Sequence, residues 1–178
     1  MALTAVDLSA RIRKVPDFPK PGIVFQDITT LLKQPDGFRS VNDILLDRYK
    51  NSQIDKVVCV ESRGFIVGAS LALALGAGFV PIRKKGKLPA ETFREEYALE
   101  YGTDTIEIHR DAIERGQRVL LHDDLLATGG TMAAAVKLVE RLGGIIAGVA
   151  FLIELEFLHG RQKLSGYDVF SIIRVDKE

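Results

Sequence analysis

The chain alternates between short, unbroken apolar runs and stretches where apolar residues recur every three or four positions. Lys56-Val57-Val58-Cys59-Val60 is a β-branched run, and residues 78–82, 118–122, 145–153 and 169–175 share its character. Runs that are apolar throughout suit strands covered on both faces, as in a parallel sheet wrapped by helices. Between them, Phe38, Val41, Leu45 and Tyr49 fall at helical spacing and predict a helix over 36–50. Residues 64–75 and 131–142 also read as helices, and 4–14 as a short amphipathic one capped by Thr4. The expected fold class is α/β, doubly wound, with a mostly parallel central sheet flanked by helices. Ligands are then expected at the carboxyl ends of the strands.

Two stretches break the pattern. Residues 16–21 form a proline-rich loop that leads into Gly22-Ile23-Val24-Phe25. Residues 85–105 are long, polar and charged, with one proline and no clear period. A segment of that kind in a compact domain is expected to be a lid over a site. No repeat, low-complexity tract or linker divides the chain, so its 178 residues are expected to form one domain. A domain of that size buries roughly 70% of its unfolded surface.

Composition narrows the function classes. Acidic and basic residues number 24 each, so no net field draws the protein to nucleic acid or a membrane surface. Any bound anion must be held by local charge. Cys59 is the only cysteine, which excludes an internal disulfide and suits a buried strand position. The first 14 residues mix charged and apolar side chains without a signal-peptide core, and the apolar stretch 65–76 is too short to span a bilayer. A cytoplasmic location is expected.

The segment richest in chemistry is Val119-Leu120-Leu121-His122-Asp123-Asp124-Leu125-Leu126-Ala127-Thr128-Gly129-Gly130-Thr131. It begins as a strand and ends at a helix start. Neighbouring strand side chains point to opposite faces, so Asp123 and Asp124 can serve one ligand only if the chain leaves the strand there. Paired carboxylates suit the hydroxyls of a ribose diol, or a nearby metal. Ala127, Gly129 and Gly130 have almost no side chain, so their amides can close around a phosphate at the positive end of the next helix. Thr128 and Thr131 add hydroxyl donors. Diol acceptors followed by a phosphate nest describe the two ends of a ribose 5-phosphate. The bland alternative is an acidic turn before a glycine-rich helix start. A Walker loop would need Gly-Lys-Ser/Thr after Gly130, and no Gly-x-Gly-x-x-Gly occurs.

This segment resembles the phosphoribosyl-diphosphate signature of the type I phosphoribosyltransferases, and Asp-Asp-Leu-Leu-Ala-Thr-Gly-Gly-Thr is similar to their adenine branch. His122 stands where relatives usually carry an aliphatic residue, with no partner evident from sequence. A diphosphate needs cations, and both Glu61-Ser62-Arg63-Gly64-Phe65 and Arg83-Lys84-Lys85-Gly86-Lys87 follow predicted strands. Alone, the second would read as a solvated loop. Both resemble the family's diphosphate-holding turns, which implicates Ser62, Arg63, Arg83, Lys84 and Lys87. Leu99-Glu100-Tyr101-Gly102 matches the family's lid motif, with Glu100 and Tyr101 near the reacting centre. Residues 19–29 resemble the base-binding segment, where main chain at Val24 and Gln26 reads the purine edge and Phe25 stacks on its face. Without the other motifs, Phe25 would read as a core anchor. Glu154-Leu155 and Leu158-His159-Gly160-Arg161 match a further motif that sets Leu155 against the base.

The resemblance covers about 18–164 in five ordered motifs. It implies a hood over residues 1–35, a lid over 85–105, and transfer of a phosphoribosyl group from 5-phosphoribosyl 1-diphosphate to adenine. It also implies magnesium bound mainly by substrate oxygens, with no direct side-chain ligand, and a homodimer. Arg63, Glu100, Asp123 and Asp124 are the expected catalytic residues; Ala127, Thr128, Gly129, Gly130 and Thr131 are expected to hold the 5-phosphate. A guanine or hypoxanthine transferase is the nearest alternative. A regulator binding RNA or an operator would want a basic face that balanced charge does not supply.

Overall fold

The computed structural model describes residues 3–98 and 102–177. In chain order the elements are α1 (Ala5–Ala10), β1 (Arg13–Val15), β2 (Phe25–Asp27), α2 (Thr29–Leu32), α3 (Pro35–Tyr49), β3 (Lys56–Val60), α4 (Gly64–Leu75) and β4 (Gly78–Lys84). Then come β5 (Thr92–Ala98), β6 (Thr103–His109), β7 (Arg118–Leu126), α5 (Gly130–Leu142), β8 (Ile145–Leu155) and β9 (Val169–Val175). Two short 3-10 turns, Glu156–Leu158 and Gly160–Leu164, join β8 to β9.

The main sheet has seven strands in the order β5-β6-β4-β3-β7-β8-β9. Strands β4, β3, β7, β8 and β9 run parallel, while β6 is antiparallel to β4 and β5 antiparallel to β6. The expected doubly wound, mostly parallel sheet is present. On one face, Leu31, Val41, Leu45, Val67 and Leu71 pack against Val57, Cys59, Leu120 and Ala150. On the other, Met132, Ala135, Leu138 and Val139 of α5 cover Val58, Val60, Leu121 and Phe151. Cys59 is fully buried, as its strand position required, and burial pushes its thiol far up.

Three expectations need correction. The first helix ends at Ala10 rather than 14. Thr4 does cap it: its hydroxyl accepts from the Asp7 amide at 3.3 Å, and Asp7 accepts the Thr4 amide at 2.9 Å. The chain then turns into β1, which pairs with β2 in a two-stranded sheet, each strand being too short to leave a period in the sequence.

Second, residues 85–105 are not one irregular loop, because β5 and β6 form a regular antiparallel hairpin. On β5 the apolar alternation is broken by charge, because Glu95 stands between Phe93 and Tyr97, which pack on the α5-side core. Lys137 pairs with Glu95 at 2.8 Å, and the Arg141 guanidinium lies 4.1 Å from the Phe93 ring centroid. The motif residues Glu100 and Tyr101 lie outside the described residues.

Third, the chain does not leave the strand at Asp123, since β7 runs on to Leu126. The facing of its side chains slips instead. Leu120 belongs to the α4-side core and Leu121 to the α5-side core, yet downstream Leu125 joins the first and Leu126 the second. Strict alternation would assign the later pair the other way. The slip falls across Asp123 and Asp124.

Gly68 sets how closely α4 approaches the sheet: a Cβ there would lie 2.0 Å from Cys59 Sγ and 3.3 Å from the His122 ring. Gly68→Ala is expected to lower stability by about 1–3 kcal/mol despite its gain in helix propensity. Adding Cys59→Ala should recover most of the loss, measured by denaturant unfolding of the single and double variants.

Candidate active site

The carboxyl ends of β3, β4 and β7 lie side by side, with Val60 paired to Ile82 and Cys59 to His122, and β4 and β7 run on past the end of β3 to Lys84 and Leu126. Three adjoining cavities open above them. The largest, about 690 Å³, is lined by Ser62, Arg63, Arg83, Lys84, Lys87, Asp123 and Asp124. A smaller one of about 80 Å³ is formed by the turn from Ala127 to Thr131, and shares Asp123 and Thr131 with the first. The third, about 230 Å³ and mainly apolar, is lined by Val24, Phe25, Gln26 and Leu155, and shares Leu125, Ala127 and Thr128 with the second. All the described residues expected at the site therefore converge.

The carboxylates Asp123 and Asp124 form its centre. The slip in β7 lets consecutive residues line one cavity without breaking the strand. The Asp124 amide donates to Asp123 Oδ1 at 2.9 Å, and Arg63 Nε lies 2.8 Å from Asp124 Oδ2. Burial, then the neighbouring Asp124 charge, raises the Asp123 carboxyl well above the usual range. Burial raises Asp124 too, against the opposing pull of Arg63. The pair therefore retains a proton more readily than free carboxyls, which suits it to both accept from and donate to hydroxyls. A Cβ on Gly64 would lie 2.8 Å from Asp123 Oδ1, so only glycine lets α4 begin this close.

The turn into α5 shows why its glycines are needed. Gly129 has φ 77° and caps α5 without a side-chain hydrogen bond, and the first turn of that helix carries no acidic residue. Its amides and its positive end are therefore free to meet an anion. Behind the turn stands Gly160. A Cβ on Gly160 would lie 2.1 Å from the Ala127 carbonyl oxygen, and one on Gly129 2.3 Å from the Gly160 carbonyl oxygen. The sequence motif at 158–161 thus supports the turn through backbone contact, a role invisible without the fold.

Acids inside the cavity compensate its cations. Arg83 Nε lies 2.6 Å from Glu61 Oε2, while Glu61 Oε1 accepts the Lys84 amide at 3.0 Å. Burial works against the Glu61 charge, yet the Lys84 amide and the Arg83 guanidinium hold its carboxyl below the usual range. Lys84 Nζ lies 3.2 Å from Asp104 Oδ2. Sequence reasoning missed Glu61, Tyr97 and Asp104. Glu61 stood inside a quoted motif, but the other two become neighbours only through the hairpin register Tyr97↔Asp104.

At the apolar end, the Arg63 guanidinium covers Phe25 at 4.8 Å from its centroid, and Phe18 meets the ring edge-on at 5.2 Å. Arg63 thereby links the apolar cavity to the acid pair. A further cavity of about 560 Å³ at the β9 edge is different in kind: Arg161 and Glu154, which line it, pair with each other at 2.5 Å.

His122 finds the partner its sequence could not reveal, with Nδ1 3.1 Å from the Ala150 carbonyl on β8. Its Nε2 is buried with no partner among the described residues. Burial depresses its pKa to about 4, slightly opposed by the Ala150 contact.

A family model for the phosphoribosyl transferase domain matches residues 27–177, and the chain belongs to that family. Among curated relatives, an adenine phosphoribosyltransferase of Solibacter usitatus is 61% identical over 96% of this chain and 99% of its own. The crystal structure of adenine phosphoribosyltransferase from Thermoanaerobacter pseudethanolicus superposes with a TM-score of 0.94 at 53% identity, over 97% of this chain and all of that one. The Saccharomyces cerevisiae enzyme, complexed with an imino-altritol bisphosphate and adenine, gives 0.90 at 43% identity, over 95% and 98%.

The His122 environment sets a pH dependence. The unfolded ring protonates near 6.5 and the folded ring only near 4. Stability is therefore undiminished above pH 6.5 and falls as pH drops toward 4, by at most about 3 kcal/mol. His122→Leu should flatten that part of a stability–pH curve measured by urea unfolding.

Proposed function

We propose that this protein is a purine salvage enzyme that transfers the 5-phosphoribosyl group of 5-phosphoribosyl 1-diphosphate to adenine, giving AMP and diphosphate. One observation carries the reading: an amide-lined turn, an acid pair, a cationic cavity and an apolar slot adjoin around one centre. They match a phosphate, a diol, a leaving diphosphate and a base around one sugar. The adenine and bisphosphate held by the yeast relative support it.

In this reading the amides and hydroxyls of Ala127, Thr128, Gly129, Gly130 and Thr131 fix the 5-phosphate. Asp123 and Asp124 hold the ribose hydroxyls. Ser62, Arg63, Arg83, Lys84 and Lys87 grip the diphosphate; arginine suits this through paired donors. The main chain at Val24 and Gln26 reads the purine edge, with Phe25 and Leu155 on its faces. Stacking on Phe25 requires the Arg63 guanidinium to withdraw, which a diphosphate would draw it to do. The C1–oxygen bond to diphosphate breaks as a base nitrogen bonds to C1, and fixed charges stabilise the positive sugar between them. Glu100 takes the base's ring proton and Tyr101 lies beside it, as the family motif implies. Residues 85–105 act as the lid and exclude water, with residues 1–35 as the hood.

No group of three or more His, Cys, Asp or Glu side chains that could cage a metal is found among the described residues. Magnesium needs only one or two carboxylates beside phosphate oxygens, and Asp123 and Asp124 stand next to the cationic cavity, so the residues fit a magnesium carried by the substrate. When bound, it neutralises charge on the leaving diphosphate. The same family likeness implies a cytoplasmic homodimer.

Incubation with magnesium, the diphosphate donor and adenine, guanine or hypoxanthine should yield monophosphate from adenine alone; a preference for either other purine would overturn the base assignment. Asp124→Asn is expected to leave the fold intact and lower turnover by about 10- to 100-fold, the worth of a charge-assisted hydrogen bond. Unchanged kinetics would remove Asp124 from the mechanism. Gly160→Ala should raise KM for the donor by about tenfold or more, since its Cβ displaces the Ala127–Gly129 backbone, with KM for adenine less affected.

A further inference from the structure

Strand β6 carries a carboxylate paired with a cation that lines the cavity. Asp104 lies two residues before Ile106, the β6 residue that pairs with Lys84 of β4, so its side chain reaches back to the Lys84 ammonium. The Thr105 amide donates to Asp104 Oδ1 at 2.8 Å, leaving Oδ2 for Lys84 at 3.2 Å and the Tyr97 hydroxyl at 3.4 Å. Tyr97 in turn lines the cationic cavity together with Thr131 of the turn into α5. A chain of contacts, Lys84–Asp104–Tyr97, thus ties the cation to the hairpin beside the cavity wall that Thr131 completes.

We propose that Asp104 is a positioning residue that serves as an internal stand-in for the diphosphate, holding Lys84 at the cavity and yielding it to the incoming anion. This rests on the assignment of the cavity to diphosphate. One ammonium cannot serve both anions at full strength, so the free energy of the Lys84–Asp104 pair is subtracted from diphosphate affinity. The exchange also frees Asp104 and Tyr97, so diphosphate occupancy and the anchoring of the hairpin are linked. The Asp104 charge is set for this role: burial opposes it, but the Thr105 amide and Lys84 hold its carboxyl below the usual range.

The test is calorimetric titration of the full chain with inorganic diphosphate and magnesium. Asp104→Asn should bind about two- to fivefold more tightly than wild type, the range for a partly exposed pair. Lys84→Met should bind more weakly, and Lys84→Met with Asp104→Asn no more tightly than Lys84→Met alone. Asp104→Ser, which cannot pair with Lys84 either, repeats the measurement if the amide disturbs the hairpin. Equal or weaker binding by both Asp104 variants would overturn the proposal. So would an undiminished gain in the Lys84→Met background, which would show plain repulsion without exchange. Wild type that fails to bind diphosphate would overturn the cavity assignment itself, and the proposal with it.

Discussion

Arg63 stands where the two halves of the site meet, its guanidinium 2.8 Å from Asp124 and 4.8 Å from the centre of the Phe25 ring. It is the positive charge that lets two adjacent carboxyls remain at the buried end of a strand. Unrelieved, such a pair costs several kcal/mol in desolvation and repulsion. Relief is partial, because Asp123 is still raised. Its position at the head of α4 depends on Gly64, whose missing side chain lets that helix start against Asp123. The acid pair, the base-side slot and the first turn of α4 are thus one unit.

The same economy of space governs the phosphate turn. Gly129 and Gly160 meet backbone to backbone, at distances no Cβ permits. That contact ties the α5 N-terminus to the connection after β8, and so ties its first-turn amides to Leu155, which lines the apolar slot. Close approach at two glycines therefore aligns groups that would grip opposite ends of a nucleotide.

A protein with no net charge gathers cations here by spending nearby acids on them. Glu61 balances Arg83, and Asp104 balances Lys84. The hairpin that carries Asp104 is itself anchored by charge: Glu107 is almost wholly buried, receives the Gly86 amide at 3.0 Å and lies 2.6 Å from Arg94 Nε. The turn after β4 and the hairpin are consequently held by carboxylates on β6, and site electrostatics and hairpin placement share their residues.

The sequence by itself determined the parallel core and the kind of chemistry. Apolar runs such as 56–60 and 169–175 bury both faces whatever surrounds them, and a glycine-rich turn after paired acids has few other uses. The helix at 64–75 was legible to the residue because Gly64 opens it and Gly76, with φ 66°, closes it. Only the tertiary structure decided the rest. The β5–β6 hairpin packs Phe93, Tyr97, Ile106 and Ile108 on the α5-side core, but Glu95 between the two rings pairs with Lys137 of α5, so the hydrophobic period of β5 is broken. The side-chain slip at Asp123 and the partners of His122, Lys84 and Gly160 lie on elements distant in sequence. Periodicity records what a segment buries; it carries no record of which charged or glycine-lined surface will be brought against it.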